Sequence, residues 1–266
     1  MLLAIDIGNT NLHIGLWRDD AWQFTWRART VHNKMADEYA VLLRNFLGEV
    51  DLNFKQINGV VIASVVPALT DTFCDLSHRH FDVKPLVVDH KTRSGIRIDI
   101  ELPEQVGADR IVNTAAVCGL YGGGPAIVID FGTATTFDVI SRDGAYIGGA
   151  ISPGINLAAD ALASQTARLY KVDLVPPPSA IGRNTTQALQ SGIFLGYLGL
   201  VEGLVERLKM SLPPEDRADT KVIATGGLAP LFDKHSPVIH EVAELLTLDG
   251  LRVIWDINNP ARSESS

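Results

Sequence analysis

The sequence predicts an α/β protein made of two similar half-molecules, and three observations carry that prediction. Asp6-Ile7-Gly8-Asn9-Thr10 near the N-terminus has a counterpart in the second half of the chain, Asp130-Phe131-Gly132-Thr133-Ala134-Thr135-Thr136. Each copy follows an apolar run, Leu2-Leu3-Ala4-Ile5 in one and Ala126-Ile127-Val128-Ile129 in the other. Each also leads through a second strand-like segment and a polar turn to a third. Between the copies, strand-length apolar runs alternate with helical periodicities, which is the order of an α/β layer structure. A unit used twice suggests two halves that each present an Asp-x-Gly hairpin to a shared central cleft.

Taken in order, strands are expected at 2–5, 12–17 and 23–29, then a helix over 36–46. A buried strand at 59–66 ends on Pro67, a helix begins at Ala68, and a further strand covers 85–88. Residues 89–103 are polar and irregular and read as a connecting or lid segment. A helix follows over 107–121, with Ile111, Val112, Ala115, Ala116 and Val117 on its apolar side. Gly122-Gly123-Gly124-Pro125 interrupts it. That triplet precedes a strand and lacks the spacing of a Walker loop, so it reads as a turn or hinge. The second half repeats the strand triplet and opens a helix after Gly154, to about Leu169.

A long helix spans 186–209, and a strand at 221–225 ends on Gly226-Gly227, a pair that permits tight approach of a flat ligand. Gly192, Gly196, Gly199 and Gly203 lie along the long helix. Each costs roughly 1 kcal/mol of helix propensity against alanine, which implies close approach of a neighbouring helix, in this chain or in a second subunit. The expected domains are 1–118 and 119–266, with the C-terminal end able to pack back on the first.

Composition narrows the function. Hydrophobic residues make up 46% of the 266, enough for sizeable cores. A formal net charge of −8 and the lack of any basic run argue against a nucleic-acid partner. Cys74 and Cys118 form neither a disulfide framework nor a metal-ligand set, which fits a reducing cytoplasm. The chain opens on a strand without a basic, cleavable leader, and the apolar run over 192–205 is broken at Glu202, short of a bilayer span. A cytoplasmic protein with no membrane partner is the expectation.

The hairpins carry the chemistry. Glycine lets backbone N–H groups approach phosphate oxygens, hydroxyl side chains add donors, and an aspartate can hold a cation. Asp109 comes from a separate segment beside Arg110, so it is expected to stay ionised and accept a proton, while the arginine fork matches a carboxylate. His13 suits either a nucleotide contact or an ordinary strand position. Trp17, Trp22 and Trp26 read as packing residues.

Five motifs stand in sequence: Asp6-Ile7-Gly8-Asn9-Thr10-Asn11, Gly107-Ala108-Asp109-Arg110-Ile111-Val112-Asn113, the second hairpin from Asp130 to Thr136, Gly148-Gly149-Ala150-Ile151-Ser152-Pro153-Gly154, and Gly182-Arg183-Asn184-Thr185. As a set the chain resembles the type III pantothenate kinases, which phosphorylate pantothenate with ATP as the first step toward coenzyme A. The resemblance implies two duplicated actin-like (ribonuclease H-like) domains facing a central nucleotide cleft, and a homodimer. It implies that Asp6, Ile7, Gly8, Asn9, Thr10, Asn11, Leu12 and His13 bind ATP, with Asp6 acting through Mg²⁺ and Thr133 as the matching contact. Gly107, Ala108, Asp109, Arg110 and Thr185 would hold pantothenate, and Asp109 would be the catalytic base. Asp130 would sit at a K⁺ or NH₄⁺ site.

One departure is visible. Many members of that family carry a pocket tyrosine ahead of Gly-x-Asp-Arg, where this chain has none and Ile100 stands in its place. Two other readings keep the fold: a kinase of another small hydroxy acid, and a non-catalytic regulatory protein. The second would be marked by loss of Asp6, Asp109 or Asp130, and all three are present.

Overall fold

The computed structural model describes residues 1–166 and 169–260. In chain order its principal elements are β1 (Leu2–Ile7), β2 (Asn11–Arg18), β3 (Ala21–Arg29), α1 (Ala36–Gly48), β4 (Gly59–Ser64), α2 (Pro67–Leu76), β5 (Leu86–Val87), β6 (Arg97–Ile98) and α3 (Ala108–Leu120). Then come β7 (Ala126–Phe131), β8 (Ala134–Ile140), β9 (Ala145–Pro153), α4 (Ile155–Ser164) and α5 (Thr185–Ser211). The chain ends with α6 (Pro214–Arg217), β10 (Lys221–Thr225), α7 (Ala229–Asp233), β11 (Glu241–Val242) and α8 (Leu246–Asn258). It divides into two compact units, Met1–Gly122 with the chain from Leu245 onward, and Gly123–Glu244.

In the first unit the strand order is β3-β2-β1-β4-β5. β1 runs antiparallel to β2 and parallel to β4. Strand alternation sorts β1 into two faces. Leu3, Ile5 and Ile7 join Leu12, Ile14 and Leu16 against α1 and α2, where Tyr39, Leu43 and Phe73 are buried. Leu2 and Ala4 face the other way, with Val61 and Ala63, onto Ile111 and Val112 of α3 and Leu251 and Ile254 of α8. A Cβ at Gly250 would collide with the Val112 carbonyl, so the closest approach of α8 to α3 requires glycine there. This contact places α8 in the first unit. The division at 122/123 follows the end of α3, whereas the expected boundary at 118/119 falls inside it.

The second unit repeats the plan with strand order β11-β10-β7-β8-β9. Ile127, Ile129, Phe131, Phe137 and Val139 pack on Phe194, Tyr197, Val201 and Val205 of α5 and on Phe232 of α7. Phe131 stacks on Phe232 with centroids 4.9 Å apart. The described part of α4 ends at Ser164 and not near Leu169, because Gln165 leaves the helical path after its N–H donates to the Ala161 carbonyl. Residues 167–168 lie outside the described residues.

One expectation about α5 is corrected. It runs 27 residues without a break at Glu202 and is long and apolar enough to cross a membrane by length and composition. It nevertheless puts Phe194, Tyr197, Val201 and Val205 into the core of its own unit. Of the two neighbours its glycines left open, a helix of the same chain finds no support among the described residues: a Cβ at Gly192, Gly196 or Gly199 would meet nothing within 4 Å.

The tryptophans pack as expected. Trp17 and Trp22 meet edge to face, Trp26 stacks on Phe46, and Trp22 Nε1 donates to Asp249 at 2.8 Å. The start of the irregular stretch is tied down within the first unit. Asp89 accepts the Lys91 and Thr92 N–H groups, and the Arg93 carbonyl accepts from Asn258 of α8 at 2.8 Å.

Candidate active site

Asp6 is the penultimate residue of β1, directly opposite His13 on β2, which in turn lies opposite Arg27 on β3. The turn between β1 and β2 is closed by the Gly8 N–H donating to the Asn11 carbonyl at 3.0 Å. Asn9, Thr10 and Asn11 at its tip are exposed, as donors to an anion must be. Ile7 and Leu12, expected among the nucleotide-binding residues, are fully buried in the core, so only their backbone is available to a ligand. His13 is half-buried, and its pKa is pushed down to about 4 by burial and by the Arg27 guanidinium. Its imidazole is neutral at physiological pH.

Asp109 stands in the first turn of α3, whose N-cap is Gly107. The helix start lies at the end of the sheet where Asp6 sits. The Val65 N–H donates to the Ile7 carbonyl at 3.1 Å, and a Cβ at Gly107 would lie 3.6 Å from Val65 Cγ1. That same Cβ would collide with Asp109 Oδ1, which explains the glycine of Gly-x-Asp-Arg. Ala108 points inward and is buried against β4 and α8. The Arg110 N–H donates to Asp109 Oδ1 at 2.9 Å.

Desolvation pushes the Asp109 carboxyl above its ordinary pKa, and this outweighs the opposing pull of Arg110 and the backbone donors. The expectation that Arg110 decides its ionisation is thereby corrected, since burial is the larger influence.

In the second unit Asp130 occupies the place in β7 that Asp6 has in β1, paired with Thr136 on β8 and Thr225 on β10. Thr133 is exposed at the tip of its turn. Gly226 has φ 88°, and a Cβ there would lie 2.7 Å from Asp130 Oδ1 and 2.8 Å from the Phe131 carbonyl oxygen. The glycine therefore admits the end of β7. Thr185 is exposed as the first residue of α5, and Asn184 caps that helix by accepting the Gln187 N–H at 2.9 Å. A Cβ at Gly182 would collide with the backbone of Ala188, so Gly-Arg-Asn-Thr is first of all a helix start, a signal the sequence carries in an asparagine ahead of a helical run.

Among the described residues no group of three or more His, Cys, Asp or Glu side chains gathers to hold a metal. A single strand-end carboxylate beside exposed phosphate donors fits a divalent ion that arrives already carried by a nucleotide. The carboxylate of Asp130, a hard oxygen donor at the end of β7, is of the type that suits a monovalent cation.

The sequence model of the type III pantothenate kinases matches residues 2–207. The chain belongs to the type III pantothenate kinase family. It is 49% identical to a family member from Roseiflexus sp. (strain RS-1), over 97% of this chain and 99% of that one. It is 46% identical to the family member from Moorella thermoacetica, over 97% of this chain and 100% of the relative. Among solved structures it resembles MreB 5 of Spiroplasma citri bound to AMPPNP, with a TM-score of 0.57 at 10% identity over 100% of this chain and 98% of that one. That likeness concerns the fold alone, and the duplicated actin-like architecture accounts for both hairpins of this family member.

Proposed function

We propose that the chain is an ATP-dependent pantothenate kinase that makes 4'-phosphopantothenate, the first step of coenzyme A biosynthesis. The observation that carries the reading is family membership along nearly the whole chain, with Asp6, Asp109 and Asp130 all in place. Phosphoryl transfer passes through a loose transition state, so the protein mainly positions reactants and neutralises charge. Asn9, Thr10 and Asn11 donate to phosphate oxygens from the first turn, and Thr133 does so from the second. Asp109 accepts the proton of the pantothenate hydroxyl as that oxygen bonds to the γ-phosphorus and the bond to the ADP oxygen breaks. A base whose pKa has been raised toward working pH suits that transfer. Arg110 pairs with the pantothenate carboxylate, and Thr185 and the backbone of Gly107 and Ala108 line the acceptor site. Asp6 would hold Mg²⁺, and Asp130 would hold K⁺ or NH₄⁺. When bound, these cations neutralise phosphate charge.

The reading includes a homodimer in the cytoplasm. The open glycines of α5 support the first part. The test is mass spectrometry of a reaction of ATP, Mg²⁺, K⁺ and pantothenate. The expected product is pantothenate plus one phosphoryl group, and its absence while another hydroxy acid is phosphorylated would move the reading to that acceptor.

A further inference from the structure

The turn of the first hairpin is held from outside by the residue that follows β3. The Thr30 hydroxyl donates to the Gly8 carbonyl at 2.7 Å, and the Thr30 N–H donates to the Thr10 carbonyl at 2.8 Å. Thr30 is itself fixed through its neighbour. The hydroxyl of Tyr39, a fully buried residue of α1, accepts the Val31 N–H at 3.0 Å and donates to the Val31 carbonyl at 3.1 Å. A chain of contacts thus runs from the core of the first unit to the tip of the hairpin.

The second unit repeats the device with different chemistry. Gly154, the residue that follows β9, donates its N–H to the Thr133 carbonyl at 3.0 Å. A Cβ there would lie 2.6 Å from the Gly132 carbonyl oxygen and still closer to that of Thr133. In both repeats the end of the third strand therefore engages the carbonyls of the Asp-x-Gly turn. In the second the turn lies so close that no side chain fits. In the first there is room for one, and it carries a hydroxyl.

The orientation of these carbonyls matters for an anion. Glycine leaves the peptide plane between Gly8 and Asn9 free to turn either way. A carbonyl facing polyphosphate repels it, whereas an N–H attracts it. In a trans peptide the two groups point in opposite directions. Pulling the Gly8 carbonyl toward the end of β3 therefore sends the Asn9 N–H away from it, at a residue that is exposed.

We infer that Thr30 is a positioning residue for the first phosphate hairpin, holding the Gly8 carbonyl so that the Asn9 N–H serves the nucleotide. The inference rests on the kinase reading above. Its test compares Thr30→Val, which keeps shape and the backbone contact, with Thr30→Ser, which restores a hydroxyl, and with Tyr39→Phe, which loosens the support behind it. Loss of one such hydrogen bond corresponds to a rise of about three- to tenfold in KM for ATP in Thr30→Val, with KM for pantothenate unchanged. Thr30→Ser returns toward wild type, and Tyr39→Phe shifts the same constant in the same direction. A Thr30→Val enzyme with wild-type KM for ATP overturns the inference. So does a Thr30→Ser enzyme as impaired as Thr30→Val, or an equal rise in both KM values together with a lower melting temperature. In those cases the wild type turns over and only Thr30 loses its role. A wild type that neither binds ATP nor phosphorylates pantothenate overturns the kinase reading, and this inference with it.

Discussion

The carboxylate of Asp109 takes the space that a side chain at Gly107 would need, and it accepts the Arg110 N–H at 2.9 Å from there. The start of α3 thus fixes both the position and the surroundings of the proposed base. Gly107→Ala is expected to displace that carboxylate. A misplacement on the order of 1 Å costs about 10²-fold in rate, so kcat should fall by about that factor while ADP binding stays near wild type. Titration calorimetry with ADP beside steady-state kinetics checks both halves.

Asp109 also links function to stability through pH. Burial raises its folded-state pKa above the unfolded value, so the folded protein binds its proton more tightly than the unfolded chain does. The favourable contribution is complete below the unfolded pKa and is lost as pH rises through the folded one. Asparagine does not titrate, so the melting temperature of Asp109→Asn should gain on wild type as pH rises above the ordinary carboxylate range. The acid limb of wild-type kcat/KM should fall at a pH above the ordinary carboxylate range. Thermal melts and a pH–rate profile read the two effects, and a melting-temperature gap that shrinks with rising pH would contradict the assigned direction.

Gly226 joins backbone conformation to the second hairpin. With φ 88° and Asp130 Oδ1 2.7 Å from the would-be Cβ, Gly226→Ala is strained in its backbone and pushes on the carboxylate. We expect a loss of roughly 1–2 kcal/mol in stability and a weaker preference for K⁺ over Na⁺ in turnover. Denaturant titration and rates in the two salts are the measurements. A variant with reduced stability but an unchanged K⁺ preference would take Asp130 out of the cation site.

The glycines of α5 give a test of assembly. Among the described residues nothing lies within 4 Å of a Cβ at Gly196, so Gly196→Leu should fold normally and lose none of its helix stability. In a homodimer built on this face the leucine would clash with the partner and shift the protein toward monomer. Light scattering of both proteins decides, and a Gly196→Leu variant as dimeric as wild type would move the interface elsewhere.

The two hairpins were legible because a strand ending in Asp-x-Gly is a local signal and its repetition is visible by eye. The bounds of β2, β4 and α3 followed from local periodicity in the same way. What escaped the sequence was non-local. The docking of α8 depends on Gly250 meeting Val112, and the pKa of Asp109 on burial more than on its neighbour Arg110. Alternation along β1 and β2 already implied that Ile7 and Leu12 face inward, and reading the motif as one ligand-binding block hid it. Thr30 and Tyr39 belong to no motif, because their role exists only once β3 returns beside the hairpin.

The central claim is that Asp109 deprotonates pantothenate for transfer of the γ-phosphoryl group of ATP. Pantothenate-dependent ADP release in K⁺ buffer, by wild type and by Asp109→Asn, tests it most directly. The account predicts turnover by wild type only when pantothenate is present, and a fall of about 10²–10⁴-fold in Asp109→Asn with ADP affinity retained. ADP release indifferent to pantothenate, or an Asp109→Asn enzyme with near wild-type kcat, would contradict it.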